Sequence, residues 1–84
     1  MASFEYTIKR LMHARPAARL VDFANKNKEA VIWFTKDGTK TKCEGIMNLM
    51  YSGWKEGDSL TIEIKGSGDT QIADELKQLL EEIL

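Results

Sequence analysis

The chain has 84 residues, enough for one small domain, so residues 1–84 are expected to fold as a single unit. A content of 43% hydrophobic and 30% charged residues excludes a disordered chain, and no apolar run approaches the roughly 20 residues that span a bilayer. Twelve Lys and Arg against thirteen Asp and Glu leave a formal charge of −1, which argues against a nucleic-acid binder held by bulk electrostatics.

In chain order, Phe4-Glu5-Tyr6-Thr7-Ile8-Lys9 alternates apolar and polar residues and predicts a half-buried strand. Pro16, the only proline, suits the first turn of a helix, where a missing N–H costs little. Ala17, Leu20, Val21 and Ala24 then fall at helical spacing, with Asn25 to Lys28 as a polar exit. Val31 to Thr35 is β-branched and aromatic and reads as a strand. Asp37-Gly38 is a hairpin signal, and Thr39 to Cys43 is the returning strand, its lysines protecting an exposed edge.

Ile46, Met47, Leu49 and Met50 make a short apolar helix that stops near Gly53, with Leu49 assigned to the core. After a turn at Gly57-Asp58, Leu60, Ile62 and Ile64 alternate with polar residues as a fourth strand. Gly66-Ser67-Gly68 breaks it, Asp69 is the candidate N-cap, and Ile72, Ala73, Leu76, Leu79, Leu80 and Ile83 form the stripe of a last helix. Glu75, Glu81 and Glu82 are placed on its solvated face. The order β-α-β-β-α-β-α implies a two-layer α+β domain, an antiparallel sheet covered on one face by three helices.

Cys43 has no partner for a disulfide, and the chain has no Cys/His cluster for zinc. Met1 to Arg10 lacks an apolar signal core, so a reducing cytoplasm is the expected location. Trp33 and Trp54 fit either core or surface.

The only histidine, His13, stands between the first strand and the proline-initiated helix. A helix N-terminus offers unpaired N–H groups and a positive dipole end, which together hold phosphate or another anion. Neutral imidazole is a nucleophile, and Arg15, two residues on, carries a permanent charge that forks onto phosphate oxygens. A nucleophile, an anion-binding turn and a cation thus share a few residues. A solvated surface histidine has the same local features, and the residues alone do not separate a phosphorylated histidine from a general base.

The string His13-Ala14-Arg15-Pro16-Ala17-Ala18 resembles the active-site motif of the HPr family, the histidine-containing phosphocarriers of the bacterial phosphoenolpyruvate:sugar phosphotransferase system. Gly45-Ile46-Met47-Asn48-Leu49-Met50-Tyr51-Ser52-Gly53 resembles the family's second helix and following turn, and Glu56-Gly57-Asp58-Ser59-Leu60-Thr61-Ile62 its fourth strand. The likeness runs along essentially the whole chain in the same order. It implies an open-faced β-sandwich with a four-stranded antiparallel sheet (βαββαβα).

It further implies that His13 accepts a phosphoryl group on Nδ1 from the phosphohistidine of enzyme I and passes it to the enzyme IIA domain of a sugar permease. Arg15 would assist by charge, and the N–H groups of Ala14 and Arg15 would hold the phosphate. Such a protein is a carrier rather than an enzyme, a monomer, with no metal and no cofactor. Ile46, Met47 and Met50 are the expected partner-binding residues, because flexible, exposed methionines suit a surface that meets several proteins; the competing reading places them in the core.

Two positions depart from the family pattern. Leu11 stands where the family usually has a glycine, two residues before the histidine. Gly45 stands where many relatives carry a regulatory serine, so a seryl-phosphate switch has no acceptor there, and Glu44 precedes it where lysine is common. These departures motivate the alternative of an HPr-like regulatory module that no longer shuttles phosphate in sugar transport.

Overall fold

The computed structural model describes residues 1–84. Its elements are β1 (Ala2–Thr7), α1 (Ala14–Lys26), β2 (Ala30–Lys36), β3 (Thr39–Lys42), α2 (Ile46–Met50), β4 (Ser59–Gly66) and α3 (Asp69–Ile83). The four strands form one antiparallel sheet in the order β1-β4-β2-β3. The expected βαββαβα open-faced sandwich is the fold observed, with β3 on an edge.

Alternation decides which face is covered. On β4, Leu60, Ile62 and Ile64 are fully buried while Thr61 and Glu63 between them are not. On β2, Ala30, Ile32 and Phe34 point into the core and Val31 stays exposed, so an unbroken apolar run still obeys period two. The helices supply the other half of the core through Ala17 and Leu20 of α1, Leu49 of α2, and Ile72, Leu76 and Leu80 of α3. Each of the leucine and isoleucine side chains contributes about 1.5–3 kcal/mol by leaving water. Trp54 belongs to this core: its ring meets Phe34 edge-on at 5.1 Å. Trp33 is half-buried on the open face, with Lys40 Nζ 5.1 Å from its ring centre.

The Asp37-Gly38 signal works as expected. Asp37 (φ 50°) and Gly38 (φ 83°) both have positive φ, and Lys36 pairs with Thr39, which makes a two-residue hairpin of the kind that matches strand twist. The N-cap of α3 is a correction. Gly68, with φ 72°, occupies the cap, and Asp69 is the first helical residue, its Oδ1 accepting from the Thr70 N–H at 2.9 Å. The turn out of β4 needs a left-handed residue next to the helix, and glycine takes that conformation at least cost.

Cys43 is buried, donates its S–H to the Leu20 carbonyl at 3.4 Å, and has its thiol pushed up to about 12 by burial. It is an apolar filler, as expected.

One partly shielded ion pair ties β2 to the turn before β4. Lys36 Nζ lies 2.9 Å from Asp58 Oδ2, which also accepts from the Lys55 N–H at 2.8 Å. The Lys36 contact first, then the Lys55 N–H, holds the Asp58 carboxyl below its usual range, while the Asp58 hydrogen bond raises the Lys36 ammonium. A depressed carboxyl contributes stability above its unfolded pKa of about 3.9 and loses it as pH falls through the lower folded value. A raised lysine contributes below about 10.4 and loses it as pH rises through its higher folded value. Asp58→Asn is therefore expected to be less stable than the parent at pH 7 and to converge with it towards pH 2. Urea unfolding across that range checks this; a pH-independent gap contradicts it.

Candidate functional site

His13 is the N-cap of α1, with extended backbone (φ −147°, ψ −170°) and no side-chain capping bond. Its side chain is exposed, whereas Met12 before it and Pro16 and Ala17 after it are buried. The buried residues fasten the turn to the core and leave the imidazole in solvent. The Ala17 N–H donates to the His13 carbonyl at 3.1 Å and closes the first helical turn. Pro16 has no N–H to donate. The N–H groups of Ala14 and Arg15 take no part in the hydrogen bonds of the fold, as the first donors of a helix do not. Two backbone donors, the positive end of a 13-residue helix and the exposed Arg15 thus surround the histidine.

The segment leading to His13 is pinned from two sides. The Ile8 N–H donates to the Asp58 carbonyl at 2.8 Å, and the Gly57 N–H donates to the Ile8 carbonyl at 2.7 Å. The Lys9 and Arg10 N–H groups both donate to the Leu84 backbone oxygen, at 2.6 and 2.8 Å. Arg10 Nη1 donates to the carbonyls of Glu81 and Glu82, at 3.1 and 2.9 Å, and so satisfies acceptors that the end of α3 leaves open. Lys9 Nζ, 2.8 Å from Glu81 Oε2, adds an exposed ion pair.

This packing brings the end of α3 to the start of α1. A shallow cleft is lined by His13, Arg15, Pro16, Arg19, Glu82 and Ile83. The sequence placed Glu81 and Glu82 on a solvated face, and both are exposed, but Glu81 pairs with Lys9 and Glu82 pairs with Arg19 in the cleft that His13 lines. Arg19 was not singled out by the motif. The signal was available, since it lies one turn after Arg15 on the same helix face.

Leu11 needs no unusual backbone. The only non-glycine residue with positive φ is Asp37, so the turn before His13 accommodates leucine without left-handed strain, and the Leu11 side chain is 66% exposed. Substitution of the family's usual glycine therefore adds apolar surface near the histidine rather than backbone strain.

The short helix α2 packs against α1. Leu49 is fully buried, Met50 is half-buried, and Ile46 and Met47 are 40% and 55% exposed. The adjacent Tyr51 is 76% exposed and widens the apolar surface beyond the three residues expected from the sequence.

Gly45 is the N-cap of α2 with φ 84° and ψ 126°, a conformation that side chains other than glycine's rarely take. Gly45→Ser is expected to cost about 1 kcal/mol, a fall of roughly 4–8 °C in melting midpoint. Calorimetry checks it, and an unchanged midpoint would mean that the cap relaxes freely. Ser52, at the far end of α2, donates its hydroxyl to the Leu49 carbonyl at 2.6 Å and is no equivalent of a residue at the helix start.

The open-faced α+β sandwich thus presents one exposed histidine at the N-terminus of its first helix. The chain matches the family described as PTS HPr component phosphorylation site over residues 2–82. It is 33% identical over 70 residues to the phosphocarrier protein HPr of Mycoplasma pneumoniae, covering 83% of this chain and 80% of that protein. It is 31% identical over 83 residues to the HPr of Mycoplasma genitalium, covering 96% and 94%. The crystal structure of HPr-C-His from Thermoanaerobacter tengcongensis superposes with a TM-score of 0.86 at 31% identity, over 98% of this chain and 93% of that one. The chain belongs to the HPr family, the phosphocarriers of the phosphotransferase system.

Proposed function

We propose that His13 is the residue that carries the phosphoryl group, taking it from the phosphohistidine of enzyme I and giving it to an enzyme IIA domain. The supporting observation is the exposed, uncommitted imidazole at the N-cap of α1, beside the unused N–H groups of Ala14 and Arg15.

In the loading step the donor's P–N bond breaks, and its electron pair leaves with the donor imidazole. The Nδ1 lone pair of His13 forms the new P–N bond. Unloading repeats the exchange with His13 as leaving group. Each step breaks one P–N bond and forms another, so no hydrolysis and no oxidant or reductant enters, and the chemistry requires no metal or cofactor. The fold contributes position and charge. The Ala14 and Arg15 N–H groups hold phosphoryl oxygens, the Arg15 guanidinium offsets their charge, and Pro16 holds the turn. Between turnovers the protein is the covalent intermediate, so it is a carrier regenerated by its partners.

Ile46, Met47 and Met50 form the docking surface next to α1, and Tyr51 extends it. A monomer suits this role, because each partner must reach the same small site. No helix is long and apolar enough to cross a membrane, and the cytoplasm is the proposed location because enzyme I and enzyme IIA meet the carrier there.

The test is incubation with phosphoenolpyruvate and enzyme I, followed by intact mass, then addition of an enzyme IIA domain. One acid-labile phosphoryl group should appear and then leave for the acceptor. No gain in mass, while another HPr reacts in the same tube, contradicts the proposal.

A further inference from the structure

The cleft at His13 contains a cation that the histidine motif does not include. Arg19 lines it with His13, Arg15 and Glu82. It follows Arg15 by four residues on α1, so the two guanidinium groups rise from one helix face a turn apart. Side chains on a helix lean towards its N-terminus, which for Arg19 is the direction of the cap residue and its imidazole. In the unloaded protein its one ionic contact is with Glu82 near the end of α3, Nη2 to Oε1 at 3.6 Å, with side chains 49% and 68% exposed. An exposed contact of that length, beyond hydrogen-bond reach, contributes little and is easily given up.

We propose that Arg19 is a second phosphoryl-directed cation, and that it exchanges Glu82 for the phosphoryl oxygens when His13 is loaded. The proposal rests on the assignment of His13 as the acceptor. Loading brings about two negative charges and strong acceptor oxygens into a cleft whose only carboxylate is that of Glu82. The phosphoryl group attracts the guanidinium through charge-assisted hydrogen bonds and repels the Glu82 carboxylate, so both forces drive the same exchange. Glu82 is then a counterweight. It occupies Arg19 while the carrier is empty and opposes the loaded state, which keeps the phosphoryl group transferable. Arg15 and Arg19 together provide two cations, so one stays with the group while a partner displaces the other.

The experiment measures equilibrium loading by phosphoenolpyruvate and enzyme I at fixed pyruvate, together with melting midpoints. The proteins are the parent, Arg19→Gln, Arg19→Lys and Glu82→Gln. Arg19→Gln is expected to lower the loaded-to-unloaded ratio by about three- to tenfold. Glu82→Gln is expected to raise it by about two- to threefold. Arg19→Lys should recover most of the loss by restoring charge, and similar midpoints in all four proteins exclude a folding effect. Arg19→Gln loading like the parent, Arg19→Lys no better than Arg19→Gln, or Glu82→Gln lowering the ratio overturns the proposal alone. A parent protein that takes no phosphoryl group overturns both this proposal and the assignment of His13.

Discussion

His13→Ala is expected to take up no phosphoryl group from phosphoenolpyruvate and enzyme I under conditions that load the parent fully. The chain holds no second imidazole to substitute for it. The only thiol, Cys43, is buried and pushed up to about 12, so no thiolate competes. The loss should be chemical and not structural. The His13 side chain makes no capping bond and stands in solvent, and the turn is held instead by buried Met12, Pro16 and Ala17. Removing an exposed, uncommitted side chain changes stability by about 0.5 kcal/mol or less. The variant should therefore melt within a few degrees of the parent while its phosphorylation falls to zero. Residual acid-labile phosphate on His13→Ala would move the acceptor to another residue, and a collapse in melting temperature would mean that the imidazole serves the fold.

The features visible in the sequence were local ones. Leu60, Ile62 and Ile64 alternate with polar neighbours, and that period alone separates the two faces of β4. Asp37-Gly38 specifies its hairpin because the turn needs two consecutive positive φ values, which few dipeptides tolerate. The run from His13 to Ala18 places nucleophile, cation and helix start within one turn, so the centre of the site is also local.

What the sequence hid depends on contacts between distant segments. Lys9 and Arg10 meet Leu84, Glu81 and Glu82 across more than 70 residues of chain, and no periodicity records that meeting. Arg19 and Glu82 each look like ordinary solvated charges until α3 is packed on the sheet. Trp54 lies outside every helix and strand, so only its contact with Phe34 settles its burial. Leu11 shows the opposite case, since it stands where the family usually has a glycine, and the backbone at this position has no positive φ.

Gly66→Ala is expected to be the most damaging single-methyl change in the chain, and Gly68→Ala, two residues away, supplies its control. Both glycines have positive φ, 135° and 72°. They differ in what surrounds them. A Cβ at Gly68 would meet nothing within 4 Å, so alanine there pays only for a left-handed backbone, about 1 kcal/mol. A Cβ at Gly66 would overlap the Glu29 carbonyl oxygen and approach the Ala30 Cα to 2.8 Å. Those are backbone atoms of the segment paired with it, since Ala30 opposes Gly66 in the sheet, and they cannot swing aside as a side chain can. Relief requires β2 and β4 to part where the core begins at Ala30 and Ile64. Backbone strain and overpacking together cost about 3 kcal/mol or more. A domain of this size has a total stability of roughly 4–12 kcal/mol, so the change removes a large share of it. The melting midpoint should fall by about 12–24 °C in Gly66→Ala and about 4–8 °C in Gly68→Ala. Equal falls would show that conformation alone sets the cost at both positions, and that the close approach of the Glu29–Ala30 backbone relaxes freely. The histidine turn is fastened separately, through Ile8, Lys9 and Arg10, so the folded fraction of Gly66→Ala should still take up phosphate at His13.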